Sequence, residues 1–454
     1  LMALEIGTTV LWGGTYAYAD YDPATNTDTL TNQMVSNTCG DTTKGDFKSY
    51  NHPDRNLVIN WTDNSRGDGA AIRDAKVNAK NLTINANFSG NERTDKGVIS
   101  DAATHITHIK VSGDINITTN NDSVYTEEDG TTTIEGFKNL NITSSTAGYG
   151  LVDNGGGITV SGGTGSSVTI KNSGLAWEAH PTVGNSFHSL DGGLGKGIAV
   201  HADKIQIQSD DTAISAGPGK EGKPFTVDLN GKTVNVIGTI LGKDGDISIN
   251  SDTDGTVTLS SANKTEDGSS SSETSIDLMS VSTGGSHLTI NKNAKGLVQI
   301  LGKIQVVGED SSVLANMTGD GSFVNTRADG TNSSQFWKDA IEAYSGGTVT
   351  LNMSGNNSYI RGDMNSGDDG KITVNATGDN FTMSQSYTGD PIYENSLLKV
   401  TSGATANILI SGDNGKVDGN IRAVEKGNIQ MDMSGENMAF TGDVEAAWNP
   451  YDKR

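Results

Sequence analysis

The chain has 454 residues, including 58 glycines and 7 prolines, and its formal net charge at pH 7 is −23. This charge argues against a nucleic-acid-binding protein, which needs clustered lysine and arginine to replace phosphate counterions. The single cysteine, Cys39, excludes an intramolecular disulfide, and no apolar run reaches the roughly 18 residues of a membrane-spanning helix. Abundant Gly, Asn and Asp favour tight turns, and Thr, Val and Ile favour strands, so the composition predicts many short strands.

Residues 1–75 show no regular repeat. They contain an aromatic-rich passage from Leu11 to Tyr21 and an alternating segment from Asn56 to Trp61. A stack of repeats exposes its core and unpaired strand edges at each end. We therefore expect residues 1–75 to form a cap on the first repeat.

Residues 76–446 consist of short alternating apolar and polar segments separated by turn residues. The pattern is clearest in four segments that each end in Ser or Thr, then Gly, then an acidic residue or Asn, then Asn. Their glycines are Gly355, Gly378, Gly412 and Gly435, so the spacings are 378 − 355 = 23, 412 − 378 = 34 and 435 − 412 = 23. Such a period predicts a β-solenoid, an all-β fold in which each unit stacks on the next.

The same step separates Gly90 from Gly113, since 113 − 90 = 23. This spacing predicts that the unit length of about 23 residues holds near the start of the repeat as well. Residues 447–454 are interpreted as a C-terminal tail.

Four segments do not fit the repeat and are predicted to be insertions: 172–197, 263–275, 334–346 and 387–398. We expect residues 334–346 to form a short helix, because Phe336, Ala340 and Tyr344 recur four residues apart. A helix this short needs tertiary burial, so Phe336 and Trp337 are expected to pack against the stack. In the first insertion, Trp177 offers an aromatic contact for a ligand, although a loop covering a strand edge is the alternative.

These stacked segments, rich in Gly, Asn, Ser and Thr, acidic and nearly free of cysteine, resemble the passenger domains of classical autotransporters (type V secretion). The likeness is greatest to the pertactin-like and self-associating adhesins, and it covers most of residues 77–444. It implies a right-handed parallel β-helix that is displayed on the bacterial cell surface or secreted. The sequence, which ends in WNPYDKR, contains no segment that matches the family's C-terminal translocator barrel. The resemblance therefore predicts a cleaved or truncated passenger.

Recognisable catalytic motifs are missing from the sequence. Asp210 and Asp211 are similar to the paired aspartates of polygalacturonases, but the Asn-x-Asp, Gly-His-Gly and Arg-x-Lys elements of that family are not found. Two aspartates in a turn are the alternative. There is no G-x-S-x-G element to present a nucleophilic serine. We therefore predict that the protein is not an enzyme, and keep a β-helical polysaccharide-degrading enzyme as an alternative.

A calcium loop is matched only in part. The stretch from Asn250 to Gly255 has oxygen ligands at alternate positions, but Ser261 stands where the bidentate glutamate belongs. We predict no metal and no cofactor.

The tripeptide Arg-Gly-Asp occurs twice. Arg66, Gly67 and Asp68 lie in a polar loop outside the repeat, where they could act as an integrin-binding or signalling motif. The copy at 361–363 is interpreted differently, because Gly362 has equivalents at the same place in other repeats. Its Gly-Asp pair is predicted to be a consensus turn.

We expect the protein to be an adhesin, a virulence factor whose outer surface of stacked Asn, Ser, Thr and Asp side chains binds by many weak contacts. Its partners would be a second copy, giving cell–cell aggregation and biofilm formation, or a host glycan or extracellular-matrix protein. The candidate binding residues are Arg66, Gly67, Asp68, Trp177, Phe336 and Trp337. The sequence leaves open which surface binds and which partner is bound.

Overall fold

The computed structural model describes residues 19–36, 48–62, 70–88, 97–101, 104–127, 129–145, 148–173, 188–192, 195–219, 223–261, 274–279, 285–292, 295–326, 339–385 and 396–447. Within these ranges the protein is all-β and contains no helix. Most strands are three to seven residues long, as the abundance of turn residues predicts.

The strands in the first third of the chain are β1 Asp20–Asp22, β2 Thr27–Thr31, β3 Val35–Ser36, β4 Tyr50–Trp61, β5 Ile72–Arg73, β6 Lys76–Ala86, β7 Ile99–Asp101, β8 Ile106–Val111, β9 Asp114–Thr119, β10 Val124–Glu127, β11 Thr131–Glu135, β12 Asn139–Ser145 and β13 Leu151–Asn154. The next strands are β14 Ile158–Ser161, β15 Ser167–Ser173, β16 His188–Gly192, β17 Gly197–His201, β18 Lys204–Ala216, β19 Thr226–Lys243, β20 Asp246–Ser260, β21 Thr274–Met279, β22 His287–Ile290, β23 Gly296–Leu301, β24 Lys303–Val307, β25 Ser312–Met317 and β26 Phe323–Asn325. The last strands are β27 Asp339–Tyr344, β28 Thr348–Met353, β29 Tyr359–Arg361, β30 Asp363–Gly367, β31 Lys371–Ala376, β32 Thr382–Ser384, β33 Leu398–Val400, β34 Thr405–Ile410, β35 Lys416–Asp418, β36 Ile421–Val424, β37 Asn428–Met433, β38 Ala439–Thr441 and β39 Val444–Ala447.

All pairings between these strands are parallel except that of β1 with β2, which is antiparallel. Over most of the described chain a strand pairs with the strand three places further on, for example β28 with β31, β34 and β37 in succession. The pairings therefore form three ladders. The first ladder contains β8, β11, β14 and β28, the second β9, β12, β15 and β29, and the third β7, β10, β13 and β30. The long strands β18, β19 and β20 bend from one ladder into the next.

The register confirms the spacings predicted for the clearest repeat. Thr348 pairs with Lys371, Lys371 with Thr405, and Thr405 with Asn428. The steps are 371 − 348 = 23, 405 − 371 = 34 and 428 − 405 = 23. The spacing of the glycines therefore reports the strand register in this part of the chain.

The step varies along the rest of the described chain. Thr226 pairs with Asp246, where 246 − 226 = 20, and Val257 pairs with Val298, where 298 − 257 = 41. The spacing in the clearest repeat is thus one of several, and the sequence prediction of one unit length is too narrow.

The core lies between the three ladders and is apolar at alternate strand positions. In the third ladder one line of register partners runs Ile304, Ile341, Met364, Leu398 and Ile421, and each of these side chains is at most 4% exposed. The largest fully buried side chains of the core include Trp61, Phe137, Phe225 and Phe381. Burial of this apolar surface supplies the main driving force for stacking the strands.

Glycines hold the turn between the first and second ladders. An added Cβ would lie 2.1 Å from the carbonyl oxygen of Gly319 at Gly355, and 2.1 Å from that of Gly378 at Gly412. The Asn two residues after each glycine has positive φ, for example 57° at Asn357 and 59° at Asn380. Asn tolerates this left-handed conformation better than most residues. The Ser/Thr-Gly-x-Asn signature therefore encodes a turn that repeats at close backbone contact.

Two further sequence predictions are corrected by the described strands. The helix predicted over 334–346 is wrong for residues 339–344, which form β27 with Ile341 paired on both sides. The unit length of 23 predicted from Gly90 and Gly113 is also wrong here, because Gly113 lies against Lys80, and the local step from Leu82 to Ile115 is 115 − 82 = 33. Gly90 itself lies outside the described residues. Parallel pairing begins at β2 with β4, within the segment that the sequence predicted to be a cap.

Extra residues enter the clearest repeat at one place. Two residues separate Asp418 from Ile421 between the second and third ladders, whereas thirteen separate Ser384 from Leu398, and 13 − 2 = 11 equals 34 − 23. The longer step between β25 and β28 arises at the same junction, between β26 and β27. Insertions at this junction therefore leave the pairing of the other two ladders unchanged.

Candidate functional site

The second ladder carries a continuous polar surface over β4, β6, β9, β12 and β15. Its inward side chains are buried and are aliphatic or aromatic except at the ends of the last three strands, where Thr119, Ser144 and Asn172 are buried. The alternate side chains therefore face away from the core. We call these outward side chains, all polar except Val58, the polar wall: Asn56, Val58, Asn60, Asn81, Thr83, Asn85, Asp114, Asn116, Thr118, Asn139, Asn141, Thr143, Ser167, Thr169 and Lys171.

Hydrogen bonds join the side chains of the polar wall from one strand to the next. In its first column, Asn81 Nδ2 donates to Asn56 Oδ1 at 2.8 Å, and the backbone amide of Asp114 donates to Asn81 Oδ1 at 2.7 Å. Asn139 Nδ2 then donates to Asp114 Oδ1 at 2.8 Å, and Ser167 Oγ donates to Asn139 Oδ1 at 2.7 Å. These bonds restrict the rotamers of the side chains that they join.

The other two columns contain similar amide pairs. Asn141 Nδ2 donates to Asn116 Oδ1 at 2.9 Å, and Asn85 Nδ2 donates to Asn60 Oδ1 at 3.0 Å. A primary amide has two N–H donors and an oxygen with two lone pairs. Each donating amide in these pairs thus retains an N–H and an oxygen that can bind a partner.

The polar wall is nearly neutral although the protein is strongly acidic. Its charged members are Asp114 and Lys171, which balance, whereas the whole chain has a net charge of −23. By contrast, the turn after the first ladder presents an exposed column of Asp320, Asn356, Asp379, Asp413 and Glu436. Two identical copies would repel one another at such an acidic edge but not at the wall.

The candidate binding residues from the sequence all fall outside the described ranges. This applies to Arg66, Gly67, Asp68, Trp177, Phe336 and Trp337. The second Arg-Gly-Asp copy is described and does not project. Asp363 begins β30 and is 7% exposed. Gly362 has a φ of 131°, and its equivalents Gly419 and Gly442 have φ values of 147° and 144°. The prediction that this Gly-Asp pair is a consensus turn is therefore confirmed.

The paired aspartates lie in β18 rather than in a turn. Asp210 is exposed, and the register of β18 with β19 shifts between Gln208 and Thr212. The side chain of Asp211 lies outside the described part of the structure. The stretch from Asn250 to Gly255 lies within β20 and does not form a calcium loop. Among the described residues, no group of three or more His, Cys, Asp or Glu side chains is placed to hold a metal.

A serine and a histidine on the first ladder resemble a nucleophile and its base. His287 Nδ1 lies 2.9 Å from Ser312 Oγ, and Asp246 occupies the neighbouring position on β20. The backbone amide of His287 donates to the carbonyl oxygen of Gly245, and that of Ser312 donates to the carbonyl oxygen of Ser286. Asp246 Oδ1 is buried without a hydrogen-bond partner. Neither backbone amide can stabilise an oxyanion, so we assign no acyl-transfer chemistry to this arrangement.

Two features were missed by the sequence reasoning. Phe323 and Tyr359 stack on the second ladder with ring centroids 5.0 Å apart and an interplanar angle of 17°. Their separation, 359 − 323 = 36, is the spacing of Gly319 and Gly355, so the repeat alignment could have found the pair. The second feature is a cluster of carboxyl groups around β27. The prediction of a helix over 334–346 did not place these carboxyl groups together.

Comparison of the chain with protein-family models, with curated proteins and with solved structures finds no match. Within the described residues, no helix has the length and apolar character needed to cross a membrane.

Proposed function

We propose that the three ladders are the walls of a right-handed parallel β-helix. The pairing of each strand with the strand three places on supports this proposal, because one circuit of the chain then contributes one strand to each ladder. Right-handed connections between parallel strands are strongly favoured, since a right-twisted strand returns to its sheet more readily that way. The step between register partners, which varies from 246 − 226 = 20 to 298 − 257 = 41, is then the length of one circuit.

We propose further that the protein is a non-enzymatic adhesin of the autotransporter passenger type, displayed on a bacterial surface or secreted, and that it binds a second copy through the polar wall. The observation that carries this proposal is the neutrality of the wall on an otherwise acidic molecule. Stacked amides and hydroxyls offer donors and acceptors in equal measure, so two antiparallel copies of the wall complement each other. Each hydrogen bond contributes about 0.5 to 1.5 kcal/mol, and repetition along the wall raises the total.

The test is self-association of the purified chain, followed by sedimentation velocity, and clumping of cells that display it. The variant Thr118→Glu/Thr169→Glu places two carboxylates on the polar wall. Thr118 is on β9 and Thr169 is on β15, and β12 lies between these two strands. The new charges are therefore too far apart to repel each other strongly within one copy. We expect the wild type to associate and this variant to remain monomeric with an unchanged circular dichroism spectrum.

The matched control is Thr159→Glu/Thr289→Glu, which adds the same charge at outward positions of the first ladder. It should associate as the wild type does. A monomeric wild type would remove the self-association proposal, and equal loss in both variants would show that net charge rather than the wall is responsible.

Attachment to a glycan or matrix protein is the second candidate function. The half-buried ring pair of Phe323 and Tyr359, with Arg361 on the same strand as Tyr359, favours it, because aromatic and Arg side chains dominate binding hot spots. Binding to immobilised polysaccharides or matrix proteins should then fall in Tyr359→Ala but not in Thr118→Glu/Thr169→Glu. Binding that is equal in the wild type and Tyr359→Ala would remove this candidate.

A further inference from the structure

The third ladder holds a cluster of ionisable side chains around β27. Measured over the whole residue, Glu342 is 9% exposed and Asp363 is 7% exposed. Lys303 Nζ lies 2.8 Å from Glu342 Oε2, and both side chains in this ion pair are 12% exposed. Burial removes the screening by water, so the charges of this ion pair interact strongly with the ionisable groups around them.

A bulge places two carboxyl groups of β27 on the same face. The register with β30 shifts between Asp339 and Ile341, so Ala340 is an extra residue in the strand. Residues three apart in a regular strand face opposite sides, whereas a bulge reverses that relationship. The side chains of Asp339 and Glu342 consequently lie on the same face of β27, where the Glu342 carboxyl raises the pKa of Asp339.

The strands near β27 provide a hydrogen bond to Asp339 and further charged groups. Asn365 Nδ2, on β30, donates to Asp339 Oδ1. Burial is the main cause that raises the pKa of Asp339, to about 7, followed by Glu342 and Asp363, while Lys303 opposes the shift. Asp277 on β21 also faces Lys303, Lys243 and Glu342, and burial raises its pKa.

Tyr344, at the end of β27, faces the same charges. Burial and the charges of Glu342, Asp339 and Asp368 raise its pKa to about 12, so it stays neutral when Asp339 titrates. In this cluster, the group whose pKa lies near neutral pH is therefore the Asp339 carboxyl rather than the Tyr344 phenol.

We propose that β27 is a pH-sensitive element of the fold: a neutral Asp339 lets the strand pack between β24 and β30, and ionisation of Asp339 beside Glu342 and Asp363 loosens it. Once Asp339 is ionised, its carboxylate faces those of Glu342 and Asp363 across a short distance in a poorly solvated site. The repulsion acts on the bulged end of β27, whereas the regular part of the ladder keeps its backbone pairing.

The experiment is amide hydrogen exchange on the full chain at about pH 5.5 and pH 8, corrected for the intrinsic pH dependence of exchange. We expect protection of residues 339–344 to fall about tenfold between the two conditions, while residues 371–376 of β31 keep theirs. Unchanged protection of 339–344 would overturn the proposal.

The variant Asp339→Asn serves as a permanently neutral form. Its amide oxygen can accept from Asn365 and its amide N–H can donate to Glu342, so we expect β27 to stay protected at both pH values. Asp252→Asn, an exposed site on β20, removes one charge elsewhere and should behave as the wild type does. A pH response of Asp339→Asn as large as that of the wild type would refute the assignment.

Lys303→Met gives a second, independent measurement. Removal of the cation that opposes the shift should move the midpoint of the change in protection to higher pH. A midpoint that stays in place or falls would contradict the proposed role of the cluster.

Discussion

A Cβ atom added to Gly378 would lie 2.2 Å from the carbonyl oxygen of Gly355, one repeat earlier. The obstructing atom is backbone, so the turn must shift to accommodate any side chain. We predict that Gly378→Ala lowers the free energy of unfolding by about 2 to 3 kcal/mol. Urea denaturation measures this change. Gly163→Ala, where an added Cβ meets nothing within 4 Å, should alter stability by no more than about 0.5 kcal/mol. Equal stability of the two variants would show that the close contact is relieved without cost.

The carboxylate of Asp153 accepts hydrogen bonds from three backbone amides and a hydroxyl. Its Oδ1 accepts from Gly155 and Gly157, each at 3.0 Å, and Oδ2 accepts from Gly197 at 2.7 Å. The Thr126 hydroxyl also donates to Oδ1. We predict that Asp153→Ala destabilises the protein by about 3 to 5 kcal/mol, because it leaves buried donors without an acceptor. Asp153→Asn should cost less, since one oxygen remains, and a denaturation midpoint equal to the wild type for either variant would contradict this role.

Asp101 predicts a pH dependence of global stability. Burial raises its pKa from 3.8 to about 7, while hydrogen bonds from the amide of Glu127 and the hydroxyl of Thr132 lower it. The folded state therefore binds this proton more tightly than the unfolded state. The associated stability is fully present below about pH 4 and is lost as the pH rises through about 7.

The measurement is the denaturation midpoint between about pH 4 and pH 8 for the wild type and Asp101→Asn. The amide cannot ionise. The difference in the free energy of unfolding between the wild type and Asp101→Asn, calculated from the denaturation curves, should therefore change by about 2 to 4 kcal/mol across this range. Parallel curves would show that Asp101 does not titrate there.

The amides stacked along the first ladder permit a test of additivity. Asn352 Nδ2 donates to Asn316 Oδ1 at 2.8 Å, and Asn375 Nδ2 donates to Asn352 Oδ1 at 2.9 Å. We expect Asn352→Ala to cost about 1 to 2 kcal/mol and Asn375→Ala about half as much. In the double variant the loss should be smaller than the sum, because the bond between the two residues is counted once. Strict additivity in thermal denaturation would indicate that the bond between these amides contributes nothing.

The sequence specified the repeat where the chain itself repeats. Alternation and the glycine turn between residues 348 and 437 predicted the correct register, because each glycine must lie against the backbone of the one before. The spacing of Gly90 and Gly113 predicted a wrong local unit length, because the same spacing recurs by chance in a glycine-rich chain. Only the pairing of Leu82 with Ile115 reveals the local step, 115 − 82 = 33.

The cluster around β27 could not be read from the sequence, because two effects concealed it. Ala340, Ile341 and Ala343 are all buried, so strict alternation is absent, and Ala and Glu favour helices in isolation. Pairing of Ile341 with Ile304 and Met364 overrides that local preference. The placement of Asp339 and Glu342 on the same face depends on the extra residue in the strand, and a bulge has no signature in a single sequence. The polar wall likewise emerges only when five separate strands are placed side by side.

The junction at which the clearest repeat adds residues, between the second and third ladders, makes the molecule a natural scaffold for peptide display. A foreign epitope placed between Asp418 and Ile421 would reproduce a length change that the chain already contains between Ser384 and Leu398. The strands on either side would keep their partners, so binding loops could diversify in evolution or in the laboratory while the framework stayed constant.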